Sequence, residues 1–320
     1  MPMLGILGSL NAFGFMESSV LKSPFYLWVL DGTTFYLLNE SASLVASGNT
    51  SSCTSYYNES FGVGPTGNLV GACDQGYFYS ISPTGSVLVS DAEPISAGLY
   101  SQSGFCDIYG NIYIYIGGSG YLNKYNSLGS QQWELTEVST YASVYSCLLV
   151  SSLGSIYLGN ASLNYITQTV YNGSGGSASI SVTYASPGGY YCAICEGADG
   201  NIYALTSSGY ITQIAPSGGA QTTIAASLGT VNYNNCMGVD SSNNIYISIG
   251  TTIYKYNNSG TLITYYVTGA TVSGLQVDLN NGLVSYSTSA ETGILSLDFS
   301  VIATTTLYYG QIATNKYPTL

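Results

Sequence analysis

One pattern of alternating apolar and polar residues recurs seven times along this 320-residue chain. Its clearest form is VDSSNNIYISIGTTIYKYNNSGTLITYY, from Val239, with kindred copies from Gly64, Cys106, Cys195 and Val277 and weaker ones from Phe15 and Leu148. The first apolar residue after each leading turn falls at Tyr26, Leu69, Ile112, Ile156, Ile202, Ile245 and Leu283. The spacings are 43, 43, 44, 46, 43 and 38 residues. A period of this size marks a repeat architecture, in which each unit must bury its faces against its neighbours.

Each copy reads as four strands. In the copy near Val239 a short apolar strand, CMGVD (236–240), precedes a Ser/Asn turn and the alternating strand IYISI. A tight turn leads to IYKYN, and an N-S-G turn leads to TLITYYV. Gly and Asn supply the positive φ that tight hairpins need, and β-branched and aromatic residues fill the strands. No amphipathic helical period of useful length occurs. Four antiparallel strands per 43 residues form the blade of a propeller. The expected fold is therefore all-β: a seven-bladed β-propeller of four-stranded antiparallel blades. Residues 11–310 would form the propeller, with NAFGFMESS as the first inner strand. The apolar segment 1–10 is expected to act as a closing strand or a docking tail. Residues 311–320 read as a C-terminal tail that could also close the ring.

The D-x-x-G-N-I-Y turn, as in DIYGNIY from Asp107, and the strands after it resemble the NHL, YVTN and quinoprotein-like repeats. That resemblance covers nearly the whole chain and implies the propeller, not an activity. Quinoprotein propellers carry blade-docking tryptophans, whereas this chain has only Trp28 and Trp133, so no quinone cofactor is implied.

Composition narrows the function. Charged residues make up 6 % of the chain, with no His and no Arg, against roughly 25 % charged in an average domain. Lys22, Lys124, Lys255 and Lys316 face 16 carboxylates, for a net charge of −12. So few cations argue against nucleic-acid binding, which needs phosphate neutralisation. Without His, no unperturbed side chain titrates between pH 5 and 8. Acid unfolding arises mostly from protonating paired carboxylates, and few cations exist here to pair them. The chain is therefore expected to tolerate acid.

Six N-x-S/T sequons, at Asn39, Asn49, Asn58, Asn160, Asn172 and Asn257, fit a surface outside a cell. The start, MPMLGILGSLNAFGF, has no basic n-region and is a poor signal peptide. No segment approaches the length of a membrane span. The seven cysteines lack the His partners or second C-x-x-C of a zinc site. Cys147, Cys192 and Cys236 share one repeat position at the start of inner strands and read as core.

Asp107, Glu196, Asp240 and Asp278 recur at the end of the first strand, with Glu17 near the matching place. They read as turn devices that accept backbone N–H groups rather than as a metal ring, and Asp199 reads the same way. A catalytic triad, an Arg clamp, a zinc-protease motif and a phosphate loop are all missing, so no catalytic residue, metal or cofactor is assigned. Tyrosine is concentrated in segments that join successive copies, on one face of a propeller. Tyr56, Tyr57, Tyr100, Tyr141, Tyr145, Tyr190, Tyr191 and Tyr233 form the expected glycan- or receptor-binding rim.

The expected function is that of a non-enzymatic structural and recognition protein. The low-charge, Tyr/Ser/Thr/Asn/Gly-rich makeup resembles surface proteins of acidophilic archaea and structural proteins of their viruses. A virion surface component that meets the host is the first expectation, partnered by other virion subunits and by host glycans or surface proteins. A secreted cell-surface or filament protein is the second, and a secreted glycan-active enzyme the third.

Overall fold

A computed structural model describes residues 24–50, 61–72, 77–92, 101–116, 121–135, 147–160, 164–171, 178–216, 218–226, 228–231, 236–306 and 311–314. Its strands fall into seven four-stranded antiparallel sheets, the blades of a β-propeller.

Blade 1 contains β1 (Leu27–Asp31), β2 (Thr34–Leu38) and β3 (Leu44–Asn49). Blade 2 is β4 (Phe61–Val63), β5 (Leu69–Ala72), β6 (Tyr77–Ile81) and β7 (Val87–Ala92). Blade 3 is β8 (Ser101–Cys106), β9 (Ile112–Ile116), β10 (Tyr121–Tyr125) and β11 (Gln131–Leu135). Blade 4 is β12 (Cys147–Val150), β13 (Ile156–Asn160), β14 (Tyr165–Tyr171) and β15 (Ala178–Ala185). Blade 5 is β16 (Tyr191–Glu196), β17 (Ile202–Thr206), β18 (Ile211–Ile214) and β19 (Gln221–Ala225). Blade 6 is β20 (Met237–Val239), β21 (Ile245–Ile249), β22 (Thr252–Tyr256) and β23 (Leu262–Val267). Blade 7 is β24 (Val272–Asp278), β25 (Leu283–Thr288), β26 (Thr292–Ser296) and β27 (Val301–Thr305).

Six of the seven repeat anchors are the first residue of a second strand, from Leu69 of β5 to Leu283 of β25; in blade 1 the strand starts at Leu27, one residue after Tyr26. The turn before it explains this regularity. Its fourth residue has positive φ, at Gly110, Gly154 and Gly200 and at Asn243 in blade 6. Gly adopts that conformation without steric cost, and Asn tolerates it better than most residues. The N–H of that residue closes the turn on the carbonyl three residues back, as from Gly110 to Asp107 and from Asn243 to Asp240.

The ring closes through the C-terminus. β28 (Gln311–Ala313) is the inner strand of blade 1, antiparallel to β1 with Trp28 opposite Ala313 and Val29 opposite Ile312. It sits between the inner strands β24 and β4 of the flanking blades. Residues 311–313 are thus part of the propeller rather than a tail, because β1 needs an inner partner for its N–H and C=O groups and Ile312 is buried there. NAFGFMESS, segment 1–10 and residues 315–320 lie outside the described residues.

The inner strands β28, β4, β8, β12, β16, β20 and β24 touch in sequence around a closed ring. Apolar layers between blades form the core. One such layer joins blades 3, 4 and 5 through Tyr115, Leu135, Leu149, Tyr157 and Ile194. Where the blades meet, single polar bonds cross the layer: the Trp28 indole N–H donates to the Gly67 carbonyl of blade 2 at 2.9 Å.

Candidate functional site

The carboxylates at the end of the inner strands are built into turns. Asp107 Oδ1 accepts the N–H groups of Tyr109 and Asn111, each at 2.9 Å, and Oδ2 accepts the Asn111 amide at 2.8 Å and the Tyr113 hydroxyl at 3.1 Å. Asp240 repeats this set with Ser242, Asn244 and Tyr246. Asp278 holds Asn280 and Asn281, and Asp199 holds Asn201 and the Tyr203 hydroxyl. The motif D-x-x-x-N-x-Y is therefore one local brace. Its tyrosines are hard to ionise: burial first, then the adjacent carboxylate, pushes Tyr113 and Tyr246 far up. Among the described residues no group of three or more His, Cys, Asp or Glu side chains could hold a metal ion.

Glu196 departs from this pattern. It accepts the N–H and hydroxyl of Ser152 in blade 4, at 2.7 and 2.6 Å. Burial raises its carboxyl above the ordinary range, partly offset by the Ser152 bonds.

Two of the four lysines occupy one repeat position. Lys255 lies 5.2 Å from the centre of the Tyr246 ring and Lys124 lies 5.3 Å from that of Tyr113. Lys255 is fully engaged: its Nζ donates to the Leu297 carbonyl of blade 7 at 2.8 Å and pairs with Asp240 at 3.8 Å. Phe299 fills the adjacent gap, edge-on to Tyr246 at 5.7 Å. Around Lys124 the gap between blades 3 and 4 is instead an open cleft of about 290 Å³. Asp107, Tyr109, Tyr113, Lys124 and Trp133 line it from blade 3, and Leu153, Gly154, Ser155 and Ile156 from blade 4. Tyr109 and Leu153 on its rim are 73 % and 70 % exposed.

The outer strands carry a second regular feature. In blades 6, 7, 1 and 2, which are consecutive around the ring, the outer strand starts with an apolar pair. The pairs are Leu262–Ile263, Val301–Ile302, Leu44–Val45 and Val87–Leu88, each side chain 44–54 % exposed. A β-bulge follows each pair's first residue: Tyr256 faces Leu262 but Lys255 faces Thr264, and Leu38 faces Leu44 but Leu37 faces Ala46. Blades 2 and 7 show the same shift. The extra residue breaks the alternation, so both members of the pair reach solvent. Blade 3 has the same bulge with Gln131–Gln132 in the pair, and blade 5 begins its outer strand with Gln221–Thr222. Sequence reasoning passed over these pairs, although two adjacent apolar residues after each turn are a legible break in period 2.

The tyrosine rim is only partly described. Tyr191 is not on it: it is fully buried in β16, its hydroxyl donating to the Ala185 carbonyl at 3.3 Å and accepting from Gln221 at 2.6 Å. Tyr191 is the first residue of β16, and its ring packs with Cys147, Tyr157 and Ile194 in the layer between blades. Tyr190 is half-buried against the blade 5–6 core. Tyr56, Tyr57, Tyr100, Tyr141, Tyr145 and Tyr233 lie outside the described residues.

Among the sequons, Asn39 and Asn257 cap turns through Oδ1, which accepts from Ser41 and Ser43 and from Ser259 and Thr261. This leaves Nδ2 as the atom a glycan would take. Asn49 is exposed on β3 and donates to Thr33. Asn160 ends β13; Asn58 and Asn172 lie outside the described residues. Cys106, Cys147, Cys192, Cys195 and Cys236 are buried, and the Cys192 and Cys236 sulfurs lie 3.9 Å apart, well beyond a bonded pair.

No protein-family model matches the chain, and no curated protein matches its sequence. Solved structures do share its fold. A functionally unknown protein from Desulfotomaculum acetoxidans superposes with a TM-score of 0.73 at 14 % identity, covering 92 % of this chain and 99 % of that one. Virginiamycin B lyase from Staphylococcus aureus gives 0.60 at 14 % identity over 76 % and 83 %. A protein of unknown function from Bacteroides caccae gives 0.57 at 12 % over 92 % and 100 %. No comparison adds to the likeness to NHL, YVTN and quinoprotein-like repeats. At these identities the neighbours establish one thing about this chain, that it is a seven-bladed β-propeller.

Proposed function

We propose that this protein is a non-enzymatic structural and recognition propeller that packs, by the outer edges of blades 6, 7, 1 and 2, against other subunits of an extracellular or virion surface assembly. The apolar pairs on four consecutive outer edges carry this reading. A free outer strand presents unpaired N–H and C=O groups, and proteins ordinarily blunt such edges with charge or Pro. β3, β23 and β27 hold no charged residue and no Pro. Exposed apolar pairs repeated on four neighbouring edges favour an interaction surface. The turn carboxylates are meanwhile consumed by local hydrogen bonds, which leaves them structural.

The absence of histidine supports the non-enzymatic reading over the chemistry of the lyase neighbours. A variant of virginiamycin B lyase with one histidine replaced by alanine is catalytically inactive, and this chain has no histidine. The low charge and the sequons favour a setting outside the cell, with a virion exposed to an acidic medium as the finer form of the reading.

Replacing the pairs by Lys, as in Leu262→Lys with Val301→Lys, tests it by sedimentation of the pure protein and by incorporation into native particles or surface layers. Loss of assembly with an unchanged melting curve is expected. Assembly that survives Lys at all four edges would overturn the reading.

A further inference from the structure

We infer that the cleft between blades 3 and 4 binds a small carboxylated sugar of the hexuronate class, with Lys124 as the carboxylate anchor. This site is separate from the apolar edges and independent of the assembly they serve.

The repeat provides its own control. Lys255 and Lys124 sit at the same position over the same tyrosine, each beside an aspartate of the same brace. In blade 6 the neighbouring blade satisfies the ammonium with the Leu297 carbonyl and closes the gap with Phe299. In blade 3 the ammonium has no ion pair within 4 Å among the described residues and lines an open cleft. An ammonium carries three donors and no acceptor. Among the described residues no carboxylate or carbonyl takes up that capacity, and the open cleft lined by Tyr109, Trp133 and Leu153 leaves room for a ligand carboxylate to exchange with water there.

The walls define the ligand. At about 290 Å³ the cleft is at the small end for small-molecule sites, which suits a single sugar ring. Lys124 is the one cation of the lining, and Asp107 is already held by four hydrogen bonds in its turn, so the cleft suits at most a single negative charge set against Lys124. A phosphate dianion would meet one cation and one repelling carboxylate, without the Arg fork or helix N-terminus that phosphate sites use. The exposed Tyr109 ring and Leu153 offer an apolar platform, and the Ser155 hydroxyl offers a polar edge. A sugar ring has an apolar face and a hydroxylated rim, and it answers both.

The chain's two tryptophans make the test direct, because ¹⁵N-indole labelling yields two N–H signals. Trp133 lines the cleft, while Trp28 is fully buried in blade 1 and bonded to Gly67. Trp133→Phe assigns the pair. Titration of the intact protein with glucuronate should move the Trp133 signal saturably and leave Trp28 still. Glucose and the methyl ester of glucuronate, which lack the charge, should bind at least about tenfold more weakly, the loss expected for one charge-assisted hydrogen bond. Lys124→Met should abolish the shift, and Lys255→Met should not. No saturable Trp133 shift with glucuronate, or equal response to the ester, would overturn the inference without any variant. An undiminished shift in a folded Lys124→Met protein would do so as well.

Discussion

Glu196 of blade 5 reaches across the blade boundary and accepts both the N–H and the hydroxyl of Ser152 in blade 4, at 2.7 and 2.6 Å. These two residues are 44 apart in the chain, and each is ordinary in sequence. Charge-assisted bonds of this length are about twice as strong as neutral ones. Glu196→Ala should lower stability by about 1 kcal/mol or less, read from urea unfolding, because Ser152 is exposed and water takes over its donors.

The same carboxylate sets a pH dependence. Burial raises its folded-state pKa above the ordinary glutamate range, so the folded form binds a proton more readily than the unfolded one. Its contribution is fully present below the unfolded pKa and is lost as pH rises through the folded pKa. The wild type should therefore gain stability relative to Glu196→Gln as pH falls from 7 to 4. Melting temperatures of both proteins across that range check it; a constant difference contradicts the assignment.

Asp240 and Asp298 should behave oppositely. Asp240 is buried, holds four hydrogen bonds and faces Lys255. Asp240→Ala takes the acceptor from the Ser242 and Asn244 N–H groups and the Asn244 amide, leaves Lys255 and the Tyr246 hydroxyl with the Leu297 carbonyl alone, and should cost roughly 1–3 kcal/mol. Asp298 is fully exposed, and its bond to the Ser296 hydroxyl holds its pKa below the ordinary range. Asp298→Ala should shift the denaturation midpoint hardly at all.

Ring closure through β28 makes the C-terminus critical. Ile312 is 1 % exposed and opposite Val29. Ile312→Ala should cost about 2–5 kcal/mol. A chain ending at Gly310 should lose cooperative unfolding, as judged by whether calorimetric and van't Hoff enthalpies still agree.

The buried thiols should be inert. Burial, then the Asp107 charge, pushes the Cys106 thiol far above its usual range. Thiolate is the reactive form. Native protein treated with iodoacetamide should show no alkyl group on Cys106, Cys147, Cys192, Cys195 or Cys236 by peptide mass spectrometry, and full labelling in denaturant.

How much of this was legible depends on distance along the chain. The turn and the alternating strands after it are local, the brace at Asp107 and Asp240 closing within six residues, so the recurrence of seven apolar anchors about 43 residues apart determined the blade, its four strands and the count of seven. The turn role of Asp107, Asp199, Asp240 and Asp278 followed from the same local pattern, as did the core placement of Cys147, Cys192 and Cys236. The terminus that supplies the closing strand did not, because Gln311–Ala313 pairs with a strand that starts at Leu27, at the far end of the chain. Nor did the burial of Tyr191, the engagement of Lys255 against the openness around Lys124, or the outward turn of the Leu262–Ile263 pair. Each of these is set by what the neighbouring blade or the opposite strand places next to the side chain. A local period specifies which residues alternate, whereas burial and partnering are settled only when units some 43 residues apart pack into a closed ring.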